Sequence, residues 1–217
     1  MKIFIKASLS LVLLSATLTV FGYLFWYKPK FNHAIKHPTT AKRANLNKEA
    51  MLRLKQKAAI IKLYGEQGMY DRNYCFLIDM RIASGKKRFF VYNLQKDLIE
   101  TAGLVTHGSG SGRDNANLYF SNKPNSNCTS LGKYKIGHSY NGKFGLAFKL
   151  YGLEYSNSKA FERFVVLHSH SCVPEAEISP LSICESWGCP TVSPVFLTAL
   201  KEYIEAADRP ILLWIYY

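Results

Sequence analysis

Residues 165–193 read VVLHSHSCVPEAEISPLSICESWGCPTVS. The apolar, β-branched start, preceded by Arg163 and Phe164, is a short buried strand that delivers His168 and His170 to its polar end. A loop follows, and then Ser186, Trp187, Gly188 and Cys189 stand just upstream of a helix. That helix is written in TVSPVFLTALKEYIEAAD: Ser193 at the N-cap, Pro194 in the first turn, and Phe196, Leu197, Leu200, Tyr203 and Ile204 on one apolar face. PILLWIYY closes the chain as a strand.

Upstream, CFLIDMRI and RFFVYNL are β-type runs separated by the turn signal ASGKK, and LVTHGSGSG is a strand running into a glycine-rich loop. LGKYKIGHSY and FGLAFKLYGL read as two more strands. These strands follow one another without long intervening helices. That predicts a mostly β domain, an antiparallel sandwich or barrel with a few peripheral helices, rather than a doubly wound sheet. Residues 45–64 read as a helix capped by Asn47, with Met51, Leu54, Ala58 and Ile61 on the face that packs on the body.

The chemistry concentrates where the quoted stretch begins and ends. A thiol becomes a nucleophile when a nearby base takes its proton, and that base needs a third group to fix its tautomer. Cys189 with His168 or His170 fits this requirement. Backbone N–H groups at Gly188 and Cys189 are candidates for an oxyanion site, because glycine permits a tight turn there. Two plainer readings stand beside it. Cys189 is then a buried core thiol, or His168, His170, Cys172, Cys184 and Cys189 supply zinc ligands. The zinc reading is weakened by H-x-H and H-x-C spacings and the lack of any C-x-x-C. Arg163 reads as an ordinary surface charge.

The net charge of +13 is uneven. Residues 1–66 hold twelve Lys or Arg against two acids, and residues 67–217 hold sixteen against thirteen. A basic stripe on the folded body, as nucleic-acid binding needs, is therefore not indicated. Residues 7–27 carry no charge and are long enough for a membrane-spanning helix. Lys2 and Lys6 precede this stretch, and Tyr23, Trp26 and Tyr27 cluster at its far end. An uncleaved anchor is favoured over a signal peptide, since no small-x-small cleavage site precedes Lys28, although Lys28 and Lys30 run against the positive-inside rule for an exported body. A buried helix of a cytosolic protein is the third reading. Residues 28–43, rich in Lys, His, Pro and Thr, read as a linker.

SWGCP, about twenty residues after LHSH, resembles the S-x-G-C signature of the YkuD-like L,D-transpeptidase superfamily, and most closely its murein L,D-transpeptidase catalytic-domain family. HGSGSG at 107–112 and CTSLGKYKIG at 128–137 resemble that family too, in the same order along the chain. The similarity runs from about Tyr74 to Tyr217. It implies an L,D-transpeptidase-like fold, taken as residues 67–217; the basic linker and helix at 31–66 and the signal anchor or signal peptide at 1–30 are read from charge and hydropathy. It implies Cys189 as nucleophile and His168, rather than His170, as base. Ser169 would orient the imidazole through its carbonyl, Gly188 and Cys189 would hold the oxyanion, and Ser186 would shape the loop.

Two positions depart from the wider superfamily, which usually has His before Gly-Cys and often Arg two residues after Cys. Here these are Trp187 and Thr191, and Arg113 becomes a candidate for a substrate carboxylate. The implied substrate is a peptidoglycan stem tetrapeptide, with no metal and no organic cofactor. The implied location is the periplasm or cell envelope, at the inner membrane through the N-terminal helix or free after cleavage. The same residues would serve an L,D-carboxypeptidase; a cysteine peptidase or amidase, or a non-catalytic wall-binding module, are the other readings. Five cysteines in an exported protein suggest one free thiol. Cys75, Cys128, Cys172 and Cys184 then form two bridges, with Cys172–Cys184 bracing the loop between base and nucleophile, or stay as four buried thiols.

Overall fold

The computed structural model describes residues 15, 17–23, 25, 46–67, 69–113 and 117–217. The chain divides into two compact units, residues 1–40 and 41–217. In the first, residues 15 and 17–22 are helical. Most of the apolar stretch 7–27 and all of the linker 28–43 lie outside the described residues. No helix among the described residues is long and apolar enough to cross a membrane.

The second unit begins with α1, Lys48–Glu66. Asn47 caps it: its Oδ1 accepts from the Ala50 N–H at 2.8 Å, satisfying one of the donors left without a partner at a helix start. Ala50, Leu54, Ala58, Ile61 and Gly65 are buried at three- and four-residue spacing, which makes a single stripe. Met51, expected on that face, is only half-buried. Among the described residues eight strands follow: β1 Tyr74–Asp79, β2 Phe89–Asn93, β3 Leu98–Gly103, β4 Gly132–Gly142, β5 Gly145–Gly152, β6 Val166–Ser169, β7 Thr191–Val192 and β8 Leu212–Tyr216. Between β7 and β8 runs α2, Pro194–Ala206, capped by Ser193.

The strands form one sheet in the order β3-β2-β1-β8-β4-β5-β6-β7. It is mostly β with few helices, as expected, but it is mixed rather than antiparallel throughout. The last strand enters the middle of the sheet, parallel to β1, and β7 runs parallel to β6. Beyond the sheet's two ends, Val105, two residues past β3, bridges Val192 of β7, so the sheet curls toward closure.

Alternation along the central strands divides the core. Cys75, Leu77, Phe90, Tyr92, Leu212, Trp214 and Tyr216 pack with Leu54, Ala58 and Ile61 of α1. Their neighbours Phe76, Ile78, Phe89, Val91, Leu213 and Ile215 pack on the other side with Phe196, Leu197, Leu200 and Tyr203 of α2. The two-residue period of a strand puts successive side chains on opposite faces. Both faces are therefore apolar, and each needs a helix to cover it. Full burial of Leu54 and Ile61 contributes about 1.5–3 kcal/mol each.

Candidate active site

β6 places His168 between two neighbours. It pairs antiparallel with Ala147 of β5 and parallel with Thr191 of β7. The His168 ring is buried. Its Nδ1 lies 3.1 Å from the Ser169 carbonyl, which can only accept, so Nδ1 carries the proton. Nε2 is then the acceptor, and the Thr191 hydroxyl donates to it at 3.0 Å. Desolvation, above all, holds the imidazole below its ordinary value; His170 adds to this and the Ser169 hydrogen bond opposes it. Phe144, at the tip of the β4–β5 hairpin, stacks on His168 with centroids 5.2 Å apart. The same ring meets His170 edge-on at 5.8 Å. His170 itself is exposed, and its Nδ1 accepts from the Cys172 N–H at 3.1 Å.

The nucleophile candidate sits on a loop that cannot drift. The Ser186 hydroxyl accepts from the Gly188 N–H at 3.1 Å and reaches the Cys189 carbonyl at 2.7 Å. Ser186 also bridges Gly108 of the glycine-rich loop: its N–H donates to the His107 carbonyl, and its carbonyl accepts from the Ser109 N–H. This explains why SWGC and HGSGSG belong together. Gly188 has φ +107°, and a Cβ there would lie 2.7 Å from the Cys128 carbonyl oxygen, so no other residue fits without movement. Among the described residues nothing accepts from the Cys189 N–H.

Cys189 Sγ faces the Phe164 carbonyl at 3.7 Å. Burial raises the thiol above its ordinary value, opposed by a backbone hydrogen bond with Val166 and by the Arg163 charge. The resting pair is thus a neutral thiol and a neutral imidazole, with no direct hydrogen bond between them among the described residues. Thiol and imidazole nevertheless open on one cleft of about 250 Å³, walled also by Phe144, His170, Trp187 and Thr191.

Arg163 is not an ordinary surface charge. Its guanidinium donates to the Cys128 carbonyl at 2.6 Å and the Ser121 carbonyl at 2.9 Å, which fixes it beneath the Gly188 turn. The cysteines resolve between the two expectations: Cys172 and Cys184 are bridged, while Cys75 and Cys128 are buried free thiols. Two of the five zinc-ligand candidates are consumed by that bridge. Arg113 is highly exposed and lies 3.6 Å from Glu185, which lines the cleft.

Sequence reasoning missed Glu185, Phe144 and Thr106 in the cleft wall. It also missed the support behind the glycine-rich loop. Arg88, fully buried, donates to the carbonyls of Val105 and Ile82 and to His107 Nδ1. His107 must then carry its proton on Nε2, which donates to the Gly112 carbonyl at 2.9 Å. Burial lowers Arg88 to about 9 and holds His107 below its usual value, and the Arg88 charge adds to the latter. Only the leading His of the HGSGSG motif was a signal for this network.

Together these features define a class: a curled, mostly β domain that presents a thiol and an imidazole to a single cleft at the sheet's end. The chain belongs to the L,D-transpeptidase catalytic domain family, whose family model matches residues 44–216, α1 included. Among solved structures it is similar to the L,D-transpeptidase of Xylanimonas cellulosilytica, at 12% identity and TM-score 0.37, over 66% of this chain and 60% of that one. It is similar to the helical cell shape determining protein Pgp2 of Campylobacter jejuni, at 14% identity and TM-score 0.40, over 68% of this chain and 49% of that one. Bd1075 of Bdellovibrio bacteriovorus matches at 18% identity and TM-score 0.40, over 67% and 51%. This chain thus spans about half to three-fifths of the length of these chains. No curated protein matches.

Proposed function

We propose that this protein is a peptidoglycan L,D-transpeptidase that works through a Cys189 thioester. The observation that carries the reading is the pairing of Cys189 and His168 on one cleft, within a chain of this family. The donor is a stem tetrapeptide. Cys189 Sγ attacks the carbonyl of the bond between diaminopimelate and the terminal D-Ala. In the resting state Thr191 caps His168 Nε2, and its hydroxyl has a second acceptor, the Cys189 carbonyl, at 3.5 Å. A shift of that hydroxyl toward the carbonyl frees Nε2 to take the thiol proton. The same nitrogen returns the proton to the departing D-Ala amine. Because Gly188 N–H is engaged by Ser186, the Cys189 N–H is the donor better suited to the oxyanion. His170, Trp187 and Arg113 border the path to the substrate rather than the reacting atoms.

The thioester then passes to an amine of a neighbouring stem, giving a diaminopimelate–diaminopimelate cross-link. The Cys172–Cys184 bridge supports an oxidising compartment, hence the periplasm or envelope. The apolar stretch at 7–27 would hold the enzyme at the inner membrane, with the catalytic domain beyond it. The test is intact mass spectrometry of residues 44–217 mixed with a disaccharide-tetrapeptide, with C189A in parallel. An adduct equal to the donor minus D-Ala, present in wild type and absent in C189A, is expected. No adduct and no D-Ala release would sink the reading.

A further inference from the structure

We propose that Glu185 and Arg113 form the acceptor site, taking a free α-amino-acid centre with its ammonium on Glu185 and its carboxylate on Arg113. This rests on the thioester reading above and chooses between its outcomes. A thioester is consumed by water or by an amine, and water is always in excess. At neutral pH an aliphatic amine is an ammonium, since such groups titrate near 10. A cleft that favours the amine must therefore gather a cation beside the acyl group.

Among the described residues, Glu185 is the one carboxylate that lines the cleft; the rest of its wall is hydroxyl, imidazole, aromatic and sulfur. Glu185 stands four residues before Cys189 and is held on both sides. Cys184 is bridged to Cys172, and Ser186 is bridged to Gly108. Its carboxylate is mostly covered, while its partner Arg113 is almost wholly exposed and 3.6 Å away. So open an ion pair contributes little by itself and opens readily to a ligand. A zwitterion carries the complementary pair of charges in one small group. The guanidinium fork matches a carboxylate, and Arg113 holds that fork directly beside the Glu185 carboxylate that would take the ammonium.

Glu185 positions the ammonium, and one proton passes from it to His168, which has already given its proton to D-Ala. The amine nitrogen attacks the thioester carbonyl, the C–N bond forms and the C–S bond breaks. The sulfur leaves with the bonding pair and takes the second nitrogen-bound proton, so Cys189 ends as a thiol, and His168 releases the first proton to water to restore the neutral pair.

The experiment forms the wild-type, E185Q and R113Q thioesters with a disaccharide-tetrapeptide, then adds diaminopimelate or 1,5-diaminopentane, the same diamine without its carboxylates. Amide and hydrolysed products are counted for each. We expect wild type to prefer diaminopimelate at least tenfold. E185Q should raise the half-saturating concentration of both amines at least tenfold, a change at least fivefold larger than any change in its acylation rate. R113Q should erase the preference between the two amines. A product ratio that ignores both substitutions overturns the proposal alone, as does an effect confined to acylation. Absence of a wild-type thioester, seen before any amine is added, overturns the function reading and this one with it.

Discussion

Replacing Cys172 and Cys184 together by serine should cost about 3 kcal/mol. The bridge joins residues twelve apart in sequence. Closing a loop of about that size lowers the entropy of the unfolded chain by roughly 10 cal/mol/K, which is about 3 kcal/mol at 25 °C. Cys172 is exposed and Cys184 is only half-buried at the edge of the Leu104, Val173 and Ile183 cluster, so the packing cost of serine is small beside the loop term. The loop has its own anchors, since Val173 and Ile183 pack with Leu104 and the Ile178 N–H reaches the Gly85 carbonyl. The native loop should therefore persist without the bridge. Urea unfolding of residues 44–217 without reductant is the assay. With a slope of about 2 kcal/mol per molar urea, the midpoint should fall by about 1.5 M, and the slope should steepen slightly because the denatured chain is no longer cross-linked. Wild type treated with reductant should fall to meet the double variant. A midpoint within about 0.3 M of wild type would show that closing this loop does not set the stability of the domain, and the entropy argument would be refuted.

Gly188→Ala should lower stability by about 1–3 kcal/mol, because an alanine there is forced to a positive φ with its Cβ against the Cys128 carbonyl. It should also slow thioester formation more than tenfold; a normal melting temperature with a normal acylation rate would contradict the geometry. Stability should also fall with acid. His107 and His168 are both held below their ordinary value of about 6.5, so as pH drops the unfolded chain takes up protons before the folded one, and stability declines from about pH 7 downward. Urea midpoints at pH 7.5 and 5.5 check this, and a midpoint that rises at pH 5.5 would contradict it.

What the sequence disclosed and what it hid divide along a physical line. Features set by neighbours a few residues away were legible: the Asn47 and Ser193 caps, the stripe of Leu54, Ala58 and Ile61, and the strand that ends at His168. Features set by pairing across the chain were not. Nothing in PILLWIYY says that it inserts beside β1 and runs parallel to it. Arg88 reads as a charge after a turn, and only the fold surrounds it with the carbonyls of Val105 and Ile82. Thr191 reads as a missing arginine, yet its register opposite His168 makes it the cap on the imidazole. Arg163 reads as solvent-facing until Cys128 and Ser121, more than thirty residues upstream, supply its acceptors. Of the cysteines, spacing alone could not separate the pair that meets from the pair that stays apart.

The stripe on α1 has a practical consequence for handling this molecule. Cutting the chain at residue 67, just past the end of α1, removes the helical cover from one side of the central strands. Leu77, Phe90, Tyr92, Leu212 and Trp214 would then face water as a contiguous oily surface. Such a fragment should precipitate or self-associate during purification, whereas one that starts ahead of Leu46 should stay dispersed. Any recombinant version, and any natural processing that releases the domain, must therefore cleave upstream of the helix.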